Sequence, residues 1–251
     1  YEKLYPASTT KLMTAILTLE NCQLTDIVTV DKDALKGIPA TYTTAALQPG
    51  EQLSVDQLLH VLLIPSANDA AIVLAYHIPV SIDNFAIIMN AKAKEIGCQN
   101  TNFMNPSGIH NDNHYSTAYD MALIGKYANT FDTVKDIATQ TQYSLPNLPD
   151  GKERKFKTTN TLITPNNKYY YEYATGLKTG YTEKAKSCIV AKAKKGDTEL
   201  ICAVLYGDKT EDKKNERELD CHTLFDYGFN NYTETTICEK EQTLDKSDLN
   251  D

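Results

Sequence analysis

The chain of 251 residues holds no tryptophan, and its 11 glycines and 9 prolines are too few for a fibrous or low-complexity protein. No apolar run approaches the roughly 18 residues that a membrane-spanning helix needs. No basic-then-apolar leader opens it, so a signal peptide is expected to be absent from this chain. Positive charge is scarce as well: 25 Lys and Arg stand against 33 Asp and Glu, a net charge of −8. Such a chain does not attract phosphate backbones, which argues against nucleic acid as a partner.

Several motifs are missing too. The six cysteines, Cys22, Cys98, Cys188, Cys202, Cys221 and Cys238, contain no CxxC pair. Zinc ribbons and thioredoxin-like redox chemistry are thereby disfavoured, and the cysteines read as small apolar core residues. The absence of GxSxG argues against the nucleophile elbow of α/β-hydrolases. There is no Gly-rich phosphate loop and no HExxH. His110 and His114 have a metal-ligand spacing but lie in a loop with Gly108, Asn111 and Asn113. No metal and no cofactor is expected.

What is present is ordinary for a globular protein: 41% hydrophobic and 23% charged residues, in a chain long enough to bury a full core. Residues 9–20 have helical period, with Leu12, Ala15, Ile16 and Leu19 on one stripe. Segments 27–30 and 52–55 read as short strands. Residues 56–64 read as a helix stopped by Pro65, and a second helix restarts near Asn68. Residues 81–96, ended by Gly97, and 117–129 are further helices. The stretch 140–170 is polar, proline-broken and tyrosine-rich, with strand fragments. Segments 187–194 and 199–206 form a hairpin across Lys195-Gly196-Asp197, and 216–232 is a final helix. The pattern predicts an α+β fold: an antiparallel sheet flanked by helices, with a mostly helical subdomain. The 16 tyrosines read as packing residues.

Three short motifs carry chemistry. In Ser8-Thr9-Thr10-Lys11, positions three apart share a helix face, so Lys11 can reach the Ser8 hydroxyl. The pair falls on the side of Leu12 and Ala15, where an unpaired lysine loses its proton and becomes a competent base. In Ser66-Ala67-Asn68, both polar side chains serve one cleft only if they precede the helix proper, which Pro65 makes plausible. In Lys178-Thr179-Gly180, a strand sets a cation, a hydroxyl and a position without a side chain in a row. Lys178 and Thr179 can hold a carboxylate there, and Gly180 lets a ligand backbone lie against the strand.

Each motif alone has a plain alternative: an N-cap serine with an exposed lysine, a helix cap, and a turn. In this order along one chain they match the set found in penicillin-binding proteins and class A β-lactamases. The sequence further resembles the serine-type D-alanyl-D-alanine carboxypeptidases, the low-molecular-weight penicillin-binding proteins. The resemblance runs through Pro6–Ala15, Leu63–Ala71, Phe103–Gly108, His114–Met121 and Tyr227-Gly228-Phe229, and covers nearly all of residues 1–232.

That resemblance implies a β-lactamase/transpeptidase-like fold and a site. Ser8 would be the acylated nucleophile and Lys11 its base. Ser66 would relay protons to the leaving group, and Asn68 would bind the substrate amide. Lys178 would engage the substrate or the proton network. Thr179, Gly180, Tyr181 and Thr182 would line the substrate, with the N–H groups of Ser8 and Tyr181 as oxyanion hole. Arg217 would resemble the arginine that holds a terminal carboxylate, although it sits in a charged run and could be solvated. The implied partners are a peptidoglycan stem peptide ending in D-Ala-D-Ala and β-lactam antibiotics. The implied place is the outer side of the bacterial cytoplasmic membrane. A β-lactamase and a non-catalytic peptidoglycan-binding relative are the rivals. Residues 1–232 are expected to be one DD-peptidase domain whose N-terminal strands are missing, since only seven residues precede Ser8. The segment 233–251 is expected to be an acidic tail or the start of a lost second domain, with no membrane anchor in this chain.

Overall fold

The helix Lys11–Asn21 (α1) is buried on every side from Lys11 to Thr18. The stripe of Leu12, Ala15 and Ile16 is covered, but so are Met13, Thr14, Leu17 and Thr18, because four other helices pack around it. Its polar side chains are satisfied internally: Thr14 donates to the Pro106 carbonyl (2.6 Å) and Thr18 to the Thr14 carbonyl (2.8 Å). A computed structural model describes residues 1–78, 82–145, 153–207 and 216–232. The expected acidic segment 233–251 lies outside them.

Strands β1 (Ile27–Thr29) and β2 (Gln52–Ser54) pair antiparallel and lead into helix α2 (Val55–Leu63). Ser54 and Gln57 close a reciprocal capping box at its start. The helix stops two residues before Pro65, and the intervening Ile64 keeps a helical backbone (φ −73°, ψ −68°) with its N–H on the His60 carbonyl. Ser66 then takes a left-handed backbone (φ 68°) and Ala67 an extended one, before α3 (Asn68–His77) begins. Helices α4 (Ile82–Ile96) and α5 (Ala118–Ala128) follow, the latter capped by the Thr117 hydroxyl on the Asp120 N–H. A short helix α6 (Asp132–Ala138) was not expected from the sequence. Two turns are too few to display a periodic stripe, and burial of Val134 and Ile137 sets it.

Strands β3 (Gln142–Leu145) and β4 (Arg154–Lys157) form a separate antiparallel pair. The main sheet is antiparallel and ordered β5 (Ala174–Thr182), β6 (Lys186–Lys195), β7 (Thr198–Gly207). Helix α7 (Glu216–Asn231) packs on β7 and β6. Ile189, Ala191 and Ala193 of β6 meet Cys221 and Phe225 of α7, whereas Val190 joins the large helical core. Burial on both faces explains why β6 reads as a nearly continuous apolar run rather than an alternating one. The expected hairpin is the β6–β7 turn. Among the described residues, strand β5 has only β6 as a sheet neighbour, and its outer edge faces the helical half.

Candidate active site

Ser8 sits in a single 3-10 turn, Ala7–Thr10, directly ahead of α1. Leu4 pairs with Ser116 through two backbone hydrogen bonds (2.8 and 2.9 Å), which pins the segment entering that turn. Thr9 donates back to the Pro6 carbonyl (2.6 Å), and Thr10 bonds the ring of buried His114 (2.9 Å). The other ring nitrogen of His114 accepts from the Met104 N–H (3.1 Å). That ring is therefore a neutral strut. Burial first, and repulsion from His110 and Lys11 second, push its pKa down to about 3. With both nitrogens engaged, it offers no free lone pair to pair with His110.

Two glycines grip the turn. A Cβ on Gly108, whose φ is +80°, would stand 1.8 Å from the Ala7 carbonyl oxygen. A Cβ on Gly180 would stand 2.8 Å from the Ser8 nitrogen and 3.0 Å from that of Thr9. The space next to Gly180 is thus taken by the nucleophile turn. The missing side chain lets β5 approach Ser8 itself, a role the sequence reading does not give it, while Gly180 also lines the cleft.

Lys11, fully buried, places Nζ 2.9 Å from Ser8 Oγ, 2.9 Å from Asn68 Oδ1 and 2.7 Å from the Ser107 carbonyl. Burial, with repulsion from Lys178, holds its pKa well below the usual lysine range, against partial opposition from Asp69. The partners fit a neutral amine. Asn68 Oδ1 and the Ser107 carbonyl can only accept, so they take its two N–H groups. The lone pair is then left toward Ser8, whose hydroxyl can donate to it.

Asn68 also donates through its amide nitrogen to the Thr43 carbonyl (2.9 Å), and its backbone N–H reaches the same oxygen (2.9 Å). The neighbouring Asp69 is buried and accepts from the N–H groups of Ala45, Leu47 and Ala70. Arg154 grips the carbonyls of Ala45 and Ala46 (2.7 Å each) and pairs with Glu51. The loop that carries Thr41, Tyr42 and Thr43 into the cleft is held from both sides of its backbone.

Across the cleft, Lys178 is buried behind the surface, where its Nζ donates to the Thr179 carbonyl (2.9 Å). Burial, then repulsion from Arg217, lowers its pKa to about 7. It does not line the cleft; Thr179 does, with its hydroxyl bonded to that of Thr159. Arg217 is not solvated, its side chain being 12% exposed. Its guanidinium bonds Glu218 (2.8 Å) and reaches the carbonyls of Gly180 (3.2 Å) and Cys188 (3.4 Å). Glu218 is buried and also accepts from Thr161 (2.9 Å).

The result is an open cleft of about 650 Å³. Ser8, Ser66 and Asn68 stand on one side, Thr179, Gly180, Tyr181, Thr182 and Arg217 on the other. Tyr42, Thr43, Thr159 and His110 complete the wall. Tyr42, which the sequence reading counts among the packing tyrosines, lines the cleft together with Tyr181. The sequence reading also missed the Ser107 carbonyl, His114, Asp69, Thr159 and Glu218. The adjacency of Asp69 to Asn68 and of Ser107 to Gly108 was the available signal for two of them. Thr159 and Glu218 carry none. Glu95 and Glu153 pair with Lys92 and Lys155, and neither they nor exposed Glu172 lines the cleft.

Residues 1–209 match a family of D-alanyl-D-alanine carboxypeptidases. The chain is 36% identical over 250 residues to D-alanyl-D-alanine carboxypeptidase DacF of Bacillus subtilis, covering 98% of this chain and 61% of the relative. It is also 36% identical to D-alanyl-D-alanine carboxypeptidase DacC of Escherichia coli, covering 99% and 63%. The chain thus spans somewhat under two thirds of the length of these relatives. Among solved structures it is similar to the Streptomyces K15 DD-transpeptidase, with a TM-score of 0.80 and 32% identity over 91% of this chain and 88% of that one.

Proposed function

The chain belongs to the D-alanyl-D-alanine carboxypeptidase family, and from that premise we propose that it is a serine DD-carboxypeptidase. It removes the terminal D-alanine from peptidoglycan stem peptides and is acylated by β-lactams. The observation that carries the reading is Lys11: a buried lysine of depressed pKa, 2.9 Å from Ser8 Oγ, with its other two bonds on carbonyl oxygens.

The peptide lies extended along the free edge of β5, where unpaired backbone groups can receive it. Arg217 and Thr179 hold its terminal carboxylate, with Lys178 adding positive charge from behind. Lys11 takes the Ser8 proton as Oγ attacks the carbonyl between the two D-alanines. The N–H groups of Ser8 and Tyr181 receive the developing oxyanion. Asn68 holds the substrate amide, and Ser66 relays the proton from Lys11 to the departing amine, which leaves the lysine neutral again. D-alanine leaves and an ester on Ser8 remains. Water, deprotonated by the same lysine, then cleaves that ester and restores Ser8. Stem peptides of this kind face outward from the cytoplasmic membrane, so the enzyme works on that side.

The test is intact mass after incubation with penicillin, together with D-alanine release from a peptide ending in D-Ala-D-Ala. The expected results are a long-lived adduct on the intact chain, no adduct on Ser8→Ala, and repeated turnover of the peptide. None of Glu95, Glu153 and Glu172 reaches the cleft to position a water against the penicilloyl ester, which supports a slow decay. Rapid multiple turnover of penicillin without D-alanine release would make the chain a β-lactamase. An adduct that persists on Ser8→Ala would remove Ser8 as the nucleophile.

A further inference from the structure

Helices α1 and α3 meet twice. At their N-terminal ends, Lys11 and Asn68 share the hydrogen bond that serves the cleft. At their C-terminal ends, Cys22, the C-cap of α1, and His77, the last residue of α3, come together with Asp26. One donor atom from each of these three residues lies within 4.8 Å of the others. Tetrahedral zinc sets its ligands roughly 3.3–3.8 Å apart, from bond lengths of about 2.0–2.3 Å. Small side-chain rotations therefore close the set, and exposed His77 is free to make them.

The donors are available. Among the described residues, neither the Cys22 thiol nor the His77 ring makes a hydrogen bond. Asp26 accepts from the Gln23 N–H (2.7 Å) through one oxygen, which orients the carboxylate and leaves the other oxygen free. The loop itself is anchored: Val55 N–H bonds the Asp26 carbonyl (2.9 Å) and Asp56 N–H that of Leu24 (3.0 Å). Two helix C-termini converge here, and each presents the negative end of its dipole to a cation.

We propose that Cys22, Asp26 and His77 form a zinc site that staples the C-terminal ends of α1 and α3. Zinc displaces the thiol proton to solvent. The thiolate and carboxylate then cancel the charge of the ion, the imidazole binds neutral, and water fills the fourth position. A thiolate, an imidazole and a carboxylate select zinc over calcium or magnesium. The site lies at the far ends of helices of 11 and 10 residues, roughly 15 Å from Lys11 and Asn68, so it acts on stability and not on the chemistry.

Metal-stripped protein is titrated with zinc chloride, with stoichiometry read by native mass spectrometry. Co²⁺ serves as a spectroscopic substitute, because thiolate ligation gives a sulfur-to-cobalt charge-transfer band. The expected result is one ion per chain and a Tm raised by about 5–10 °C at a hundredfold excess over Kd. Cys22→Ala loses the charge-transfer band. His77→Ala, at an exposed position, keeps the metal-free Tm but binds zinc at least tenfold more weakly. The penicillin acylation rate is the same with and without zinc, which separates this test from that of the proposed reaction. No bound zinc at hundred-micromolar concentration, bound Co²⁺ without the band, or equal binding by both variants and the parent would overturn the proposal.

Discussion

Two buried lysines flank the cleft, Lys11 on its helical side and Lys178 on its sheet side, and their surroundings differ. Lys11, on the helical side, has three partners contributed by three separate segments: Ser8, Asn68 and Ser107. Lys178, on the sheet side, has the carbonyl of its own neighbour Thr179 and, nearby, the cation of Arg217. Around Lys11, burial and repulsion from Lys178 hold the pKa well below the usual lysine range, with the amine 2.9 Å from the Ser8 hydroxyl. The arrangement around Lys178 concentrates positive charge at an edge where a peptide terminus can arrive. The helical half is thus built for proton transfer and the sheet half for receiving an anion, although both start from the same buried amine.

Removing the base is the strongest way to break this contrast. Lys11→Ala should slow acylation by penicillin about 10²–10⁴-fold, the usual range for a lost general base. Stopped-flow acylation rates decide it, and an unchanged rate would reduce Lys11 to a structural role. The contact between the two halves is the next target. Gly180→Ala puts a methyl 2.8 Å from the Ser8 nitrogen, and backbone there cannot yield cheaply. A displacement of about 1 Å at a reacting group costs on the order of 10²-fold. Acylation should fall by that order together with Tm, and a normal rate at normal Tm would show that the glycine grip is dispensable.

The smallest effects should separate the two cations of the sheet side. Arg217→Ala should weaken a carboxylate-terminated peptide roughly 10–100-fold, as for a lost charge-assisted hydrogen bond of about 1.5–3 kcal/mol. The corresponding terminal amide should be nearly unaffected. Lys178→Ala should discriminate in the same direction if its charge is what matters, and equally against both substrates if it moves protons. pH sharpens the distinction. With its pKa lowered to about 7, Lys178 sheds its charge as pH rises through neutrality, so KM for the acid substrate should rise there. Stability should run the other way. The unfolded lysine holds its proton up to about pH 10.4, so between about pH 7 and 10 the unfolded chain binds more protons and Tm gains with rising pH. Lys178→Met should lose the KM inflection and its own share of this gain, while the share from Lys11, whose pKa is also lowered, remains.

Much of the molecule was legible in the sequence because it is local. The helix restart at Asn68 followed from Pro65, the start of α5 from Thr117, and the β6–β7 turn from Lys195-Gly196-Asp197. The reach of Lys11 to Ser8 followed from a spacing of three on a helical turn, and the structure realises it at 2.9 Å. Other features were not legible because they are sums over distant segments. Burial all around α1 requires four helices from elsewhere in the chain. The short α6 exists only through the core it covers. The role of Gly180 depends on which backbone passes it, and that is the turn at Ser8.

By itself, the sequence determined which chemical groups are available and in what order: a serine with a lysine one turn on, a serine and an asparagine after a helix stop, and a lysine–threonine–glycine strand. Local backbone preference and spacing suffice for that, since they act over a few residues. Only the tertiary structure decided what those groups can do. It closed Lys11 off from water, drew Lys178 behind the cleft, and turned Arg217 inward against Glu218. It also brought Cys22, Asp26 and His77 to one point. Charge state and convergence depend on desolvation and on neighbours far away in the chain, and no short-range pattern encodes either.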